Sequence, residues 1–185
     1  INRLVTLHTL CYRVPDAMPG EYTTTDMAAG DTVFGDHEEL IERVPHLLAS
    51  TERAIVAAAI HPVVLAARFH GFYEYLHPFR DGNGRTGRLV SNYILLRCAH
   101  PLIIIPSDCR QEYISSLKKI RTEATDEHLI RFFFKANEGN RTVSRLRITY
   151  HQPCFLFQKC RFYIIRINRN YMGVVSFQYA FKRYC

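Results

Sequence analysis

Residues His77 to Arg88 read HPFRDGNGRTGR and separate two apolar, helix-patterned segments. The stretch is too polar for a core strand and too rich in glycine for a helix interior, so it has to be a loop joining two packed helices. Three familiar patterns fit it in part. GNGRTG satisfies GxGxxG, but that fingerprint follows a buried strand, and here LHPFRD precedes it. GNGRTGRL has Arg88 and Leu89 where GxxxxGK[ST] needs lysine and a hydroxyl. DGNG opens like a calcium loop, yet Arg85 and Asn92 stand where later ligands are required.

The chemistry of the loop points elsewhere. Gly82, Asn83 and Gly84 let backbone N–H groups converge into an anion nest. The loop runs into a helix start, which adds a partial positive charge. Arg85 and Arg88 are three apart and share a helix face, where both can fork onto phosphate oxygens. Asp81 fits such a nest only if a cation accompanies the anion, and Mg²⁺ on a nucleotide meets that need. A neutral His77 at the end of the preceding helix can take a proton from a hydroxyl, worth roughly 10²–10⁴ in rate. Singly, these would be a capping histidine, a turn aspartate, a solvated arginine face and a tight turn; together they read as a site. His61 and His70 lack any paired metal-ligand spacing, and His70, on an apolar face, reads as a core histidine.

The rest of the chain is patterned as helices. Leu4, Leu7, Leu10 and Cys11 recur at helical spacing until Pro15, Pro19 and Gly20. Residues 21–34 read as a short exposed hairpin turning near Ala29 to Asp31. Asp36 with Glu39 has the form of a capping box. It opens a helix with Leu40, Ile41, Val44, Leu47 and Leu48 on its apolar face and a kink at Pro45. Residues 52–60 are alanine-rich and helix-prone. Pro62 suits the first turn of a helix running to the loop. After the loop, Leu89, Val90, Tyr93, Ile94 and Leu96 mark another. Leu102 to Ile105 is expected as a buried connector or short strand. Asp108 with Gln111 should cap a helix to about Ile120, and Asp126 one to about Ala136. The expected body, residues 1–138, is mainly α with one hairpin.

Charge divides the chain. Of 24 Lys/Arg and 17 Asp/Glu in 185 residues, residues 1–138 hold 15 and 17, whereas residues 139–185 hold nine basic residues and no acid. The net charge of +7 therefore belongs to the tail, and nucleic acid is not the expected partner of the body. The tail, 139–185, carries ten aromatics and strand-like alternation in RFYIIRINRN. It can be a basic β-rich appendage, a nucleic-acid or acidic-surface contact, or a frame-shifted, non-native or poorly ordered C-terminus, the reading favoured. Apolar runs are far shorter than the roughly 18 residues of a membrane span. None of the six cysteines forms a CxxC pair, and INRLVTLHTL has no signal-peptide layout. Free thiols and a cytoplasmic location are expected, and the missing initiator methionine suggests that something upstream is absent.

His77 to Arg88 resembles, at every position, the signature HPFx[D/E]GNGRxxR of the Fic family. The resemblance covers about residues 3–138, including GEYT at Gly20, LAARFHGFYEYLHPF, RLVSNYILL and the PLIIIP to EYISSL region. It implies a Fic-type helical bundle with a β-hairpin flap. It also implies an enzyme that uses Mg-ATP to place AMP on a Ser, Thr or Tyr of a target protein. On this resemblance His77 is the general base and Phe79 the loop's anchor. Asp81 is the Mg²⁺ ligand. Gly82, Asn83, Gly84, Arg85 and Arg88 hold the phosphates. Asn92 and Tyr113 help form the base pocket, and Thr24, Thr25, Asp26 and Met27 belong to the flap, where the target docks as an added strand.

The chain departs from the family in two places. Gly20-Glu21-Tyr22-Thr23 stands where members often carry GxYR. Members also hold themselves off with an inhibitory helix [ST]xxxE[GN], whose glutamate pairs with the arginine matching Arg88. No glutamate in this chain has Ser or Thr four residues earlier, and Glu138-Gly139 has Phe134 there. Such a helix is expected upstream of Ile1; an antitoxin-like partner, or no control, are the other options. Relatives that transfer UMP, phosphocholine or phosphate, or that remove AMP, are the alternative activities. The intact GNGR favours AMP over the kinase branch, which carries a loop closer to NKR. A nucleotide-binding interaction module with little turnover would have no use for His77.

Overall fold

The computed structural model describes residues 1–30, 32–141, 163–168 and 171–175. The chain divides into two units, Ile1–Asn140 and Arg141–Cys185. In the first, α1 (Asn2–Thr6) and α2 (Leu10–Arg13) precede a hairpin of β1 (Ala28–Ala29) and β2 (Thr32–Val33). Five longer helices follow: α3 (Leu40–Ala57), α4 (Pro62–Leu76), α5 (Asn83–Arg97), α6 (Arg110–Thr122) and α7 (Glu127–Arg141). The second contains β3 (Tyr163–Asn168) paired antiparallel with β4 (Tyr171–Val175), with an irregularity between Arg166 and Asn168. The order and native status of the tail's other residues lie outside the described residues.

Helix α4 is the hub of the first unit. His61 caps it, its Nδ1 accepting from Val63 N at 3.2 Å, and Pro62 takes the first turn, where no N–H is needed. Val63, Leu65, Ala66, Ala67, Phe69, Tyr73 and Leu76 are buried along α4, facing α3, α5 and α6. The close approach of α5 needs Gly87, where a Cβ would lie 2.8 Å from His70 Nδ1. Burial of twenty apolar residues in this one unit supplies the main driving force for folding.

Several local expectations change. The loop is shorter than expected: α5 begins at Asn83, so Gly84, Arg85, Gly87 and Arg88 lie in its first turns. The segments around 40–48 and 52–60 form one helix, α3, with Pro45 inside it. Pro45 falls near the start, so the helix loses one backbone bond without ending. Asp36 and Glu39 make no capping box; Asp36 Oδ1 instead accepts from Glu38 N at 2.8 Å in a turn ahead of the helix. Asp108 accepts only from its neighbour Cys109 N, and α6 has no side-chain cap. Asp126 pairs with Arg68, leaving Thr125 Oγ1 to accept from Glu127 N at the head of α7. That helix runs past Ala136 to Arg141. Leu102 to Ile105 is an irregular connector in which Ile103 is buried and Ile104 exposed. At the N-terminus two short helices replace one. Their buried face is Asn2, Thr6 and Leu10, while Leu4 and Leu7 are exposed, because this segment packs on the polar loop.

Candidate active site

The loop between α4 and α5 is tied at both ends. His77 is the C-cap of α4, its N–H donating to Tyr73 O at 3.0 Å, with φ 48° and ψ 55°. This left-handed conformation is one that glycine usually supplies at a helix end. Pro78 O accepts from Thr23 N at 2.9 Å, and the Phe79 ring lies 5.4 Å from that of Tyr22. Buried Asn83 closes the loop with both ends of its amide: Oδ1 accepts from Phe79 N at 3.0 Å, and Nδ2 donates to Phe79 O at 2.5 Å. Gly82, at φ 79°, is the N-cap of α5, and a Cβ there would meet Thr6 Cγ2 at 2.5 Å. Asn2 Nδ2 donates to Asp81 O at 3.0 Å. The N-terminal helix therefore braces the loop, a role that its leucine spacing concealed.

The loop presents its charges at the start of α5. The first N–H accepted within the helix is that of Thr86, bonded to Gly82 O at 2.9 Å, so the amides of Asn83, Gly84 and Arg85 are first-turn donors. Arg85 pairs with Asp81 Oδ2 at 3.0 Å and donates to Val5 O at 3.3 Å; Arg13 lies 3.5 Å from Asp81 Oδ1. Arg88 Nη1 would be 3.1 Å from a Cβ on Gly84, and its guanidinium is 6.0 Å from the Tyr113 ring centre. This cluster suits a polyphosphate. Asp81 is the carboxylate of this cluster that could hold a Mg²⁺ ion together with phosphate oxygens.

Burial and the charge of Arg121 push His77 down to about 4, against a weaker opposing effect of the Glu74 carbonyl, so its imidazole is neutral near pH 7. Beside it, the largely covered Glu74 is pushed up to about 7 by desolvation, which Arg88 and Arg121 only partly offset. Glu74 Oε2 is 3.9 Å from His77 Nδ1; that nitrogen and Glu74 Oε1 are buried without a hydrogen-bond partner. Phe34, just after β2, stacks on the His77 imidazole at 3.7 Å and 18°.

Other expected site residues have structural duties. Asn92 Nδ2 donates to Ile103 O at 2.9 Å while its Oδ1 accepts from Ile103 N at 2.8 Å, pinning the connector. Tyr113 OH is 2.7 Å from Nε2 of buried His70, which desolvation and Arg88 push down to about 3. Thr24, Thr25, Asp26 and Met27 precede β1 at the base of the flap. Thr25 accepts from Arg80 at 3.1 Å, Asp26 from His37 Nδ1 at 2.8 Å, and Met27 O from Phe34 N at 2.9 Å. A cavity of about 230 Å³ opens beside Glu74, lined by Thr32, Phe34, Ile114, Leu117 and Arg121 among others. Sequence spacing gave no sign of it, since its walls come from the flap, α4 and α6.

A helical domain with this signature loop between two packed helices, under a two-stranded flap, is a Fic domain. The Fic/DOC family profile matches residues 1–95, and the chain belongs to that family. Proteins named protein adenylyltransferase Fic are similar to it: that of Drosophila grimshawi is 36% identical over 122 residues, 64% of this chain and 24% of that protein. That of Drosophila virilis is 38% identical with the same coverage. The chain thus spans about a quarter of the length of the curated relatives it matches. Among solved structures, Fic-1 from C. elegans aligns at a TM-score of 0.58 and 27% identity over 79% of this chain and 43% of that one. A Fic domain containing signaling protein from Bacteroides thetaiotaomicron aligns at 0.54 and 26%, over 69% and 57%.

Proposed function

We propose that the domain transfers AMP from Mg-ATP to a Ser, Thr or Tyr hydroxyl of a protein. The observation that carries this reading is a half-buried histidine at the end of α4, on the short loop that leads into the arginine-bearing N-terminus of α5. The hydroxyl oxygen attacks the α-phosphorus, its proton passes to the imidazole of His77, and the bond to the bridging oxygen breaks to release pyrophosphate. Arg85, Arg88 and the first-turn amides of α5 hold the phosphates and offset the charge that moves onto them. Mg²⁺, held by Asp81, would neutralise part of that charge. The cavity beside Glu74 is where the nucleotide base would lodge, and the exposed strand β1 offers an edge to the target. Relatives named protein adenylyltransferase support the reaction type. An inhibitory helix or an antitoxin-like partner acting at Arg88 belongs to the same reading.

Transfer from ATP labelled at the α or the γ phosphate, with Mg²⁺ and cell lysate, tests the proposal. Protein-bound label from the α position alone is expected. Label from the γ position would mean phosphate transfer, and label only from UTP or a phosphocholine donor would assign one of the other Fic activities.

A further inference from the structure

Arg121, near the end of α6, ties together three elements that are far apart in sequence. Its Nη1 donates to Val33 O on β2. Its Nη2 donates to Glu74 O at 3.0 Å and Tyr75 O at 3.2 Å, two carbonyls at the end of α4. Helix geometry leaves such carbonyls without intrahelical donors and gives that end a partial negative charge, so a guanidinium is well matched to it. The same cation lies 4.7 Å from the ring centre of Phe34 and 4.9 Å from that of Tyr75, within cation–π range. Backbone bonds complete the attachment: Gly35 N donates to Tyr75 O and Phe34 N to Met27 O, both at 2.9 Å.

Phe34 is thus held between a fixed helix end and the His77 ring on which it stacks. Stacking covers a face of the imidazole; its nitrogens lie in the ring plane. Among the described residues, few charged groups face His77. Glu74 comes from α4 and Arg121 from α6; the flap contributes uncharged Phe34; α5 contributes Arg88, whose charge acts on Glu74. Arg121 therefore acts on His77 twice, through the flap that keeps its ring dry and through its own charge.

We propose that Arg121 is a positioning residue for His77: by clasping β2 to the end of α4 it seats Phe34 on the imidazole and fixes the orientation of that ring. Its importance for turnover rests on the AMP-transfer reading; the clasp itself does not. Flap position and the state of the base are then coupled, and anything that lifts β2 exposes His77 and favours its protonation.

The test is an NMR titration of the His77 ring nitrogens in the full chain, comparing wild type, Arg121→Met, Arg121→Lys and Phe34→Leu. The titration needs no turnover, so an inactive wild type would count against AMP transfer and leave the clasp to be judged. Arg121→Met is expected to raise the His77 pKa by about one pH unit or more. Arg121→Lys, which keeps a cation and donors, should restore part of the difference. Phe34→Leu, which leaves the bonds of Arg121 to all three carbonyls in place, should also raise the pKa by uncovering the ring. Where transfer is measurable, kcat should fall about tenfold in Arg121→Met, and the acid limb of its pH profile should move with the NMR value. A folded Arg121→Met chain in which His77 titrates as in wild type would overturn the proposal. If that variant does not fold, an unchanged His77 in Phe34→Leu would do the same.

Discussion

His77 carries two burdens that an ordinary surface histidine would not: a left-handed backbone and a largely dry imidazole. The first is a steric cost of about 1 kcal/mol that glycine escapes. His77→Gly should therefore unfold at a higher temperature than His77→Ala by calorimetry, although neither can act as a base. Glu74 carries the opposite electrostatic burden. Its ordinary value of 4.5 is raised to about 7, so the folded chain holds this proton more tightly than the unfolded one. Stability from that proton is complete below about 4.5 and is lost as pH rises through about 7. Glu74→Gln removes the loss. Denaturant unfolding should show the variant gaining on wild type between those values, by on the order of 3 kcal/mol.

At the scale of elements, the α4–loop–α5 unit depends on one short side chain. Asn83→Ala leaves the buried N–H and C=O of Phe79 unmatched, a loss of about 1–3 kcal/mol for each group. Hydrogen exchange should rise across residues 77–83 well before it rises in the core of α4. The helices flanking this loop, and the loop's histidine, aspartate and arginines, were legible in sequence because they are consecutive and periodic. The side-chain role of Asn83 was not: its place in the signature suggested the phosphates, which its backbone N–H can still meet, and gave no sign that its side-chain amide closes the loop. The bracing by Asn2 and Thr6 was hidden because apolar spacing reports only packing on apolar cores, and these residues face a polar backbone. The capping patterns at Asp36 and Asp108 failed because short polar side chains satisfy nearby turns as readily as helix starts. Arg121 and Phe34 are invisible to local pattern; the bond from Arg121 to Val33 spans 88 positions.

For the whole molecule, buried His70 and half-buried His77 weigh on behaviour in mild acid. His70 and His77 are depressed to about 3 and about 4 from an ordinary 6.5. Each lends stability above about 6.5 that is lost as pH falls through its folded value, while Glu74 acts in the other direction over part of that window. His37, raised by its surface bond to Asp26, opposes them as well, but an exposed pair is worth little, and the thermal midpoint should be lower at pH 5 than at pH 7. Among the described residues no helix is long and apolar enough to cross a membrane. The chain has the fold of its Fic relatives, and its central chemical claim concerns a single proton. The most direct measurement is the rate of label transfer from α-labelled ATP as a function of pH, for wild type and His77→Ala. A transfer that needs His77, by roughly 10²–10⁴ in rate, with kcat/KM falling only as pH drops through about 4, is the predicted result. Transfer of undiminished rate in His77→Ala would contradict the account.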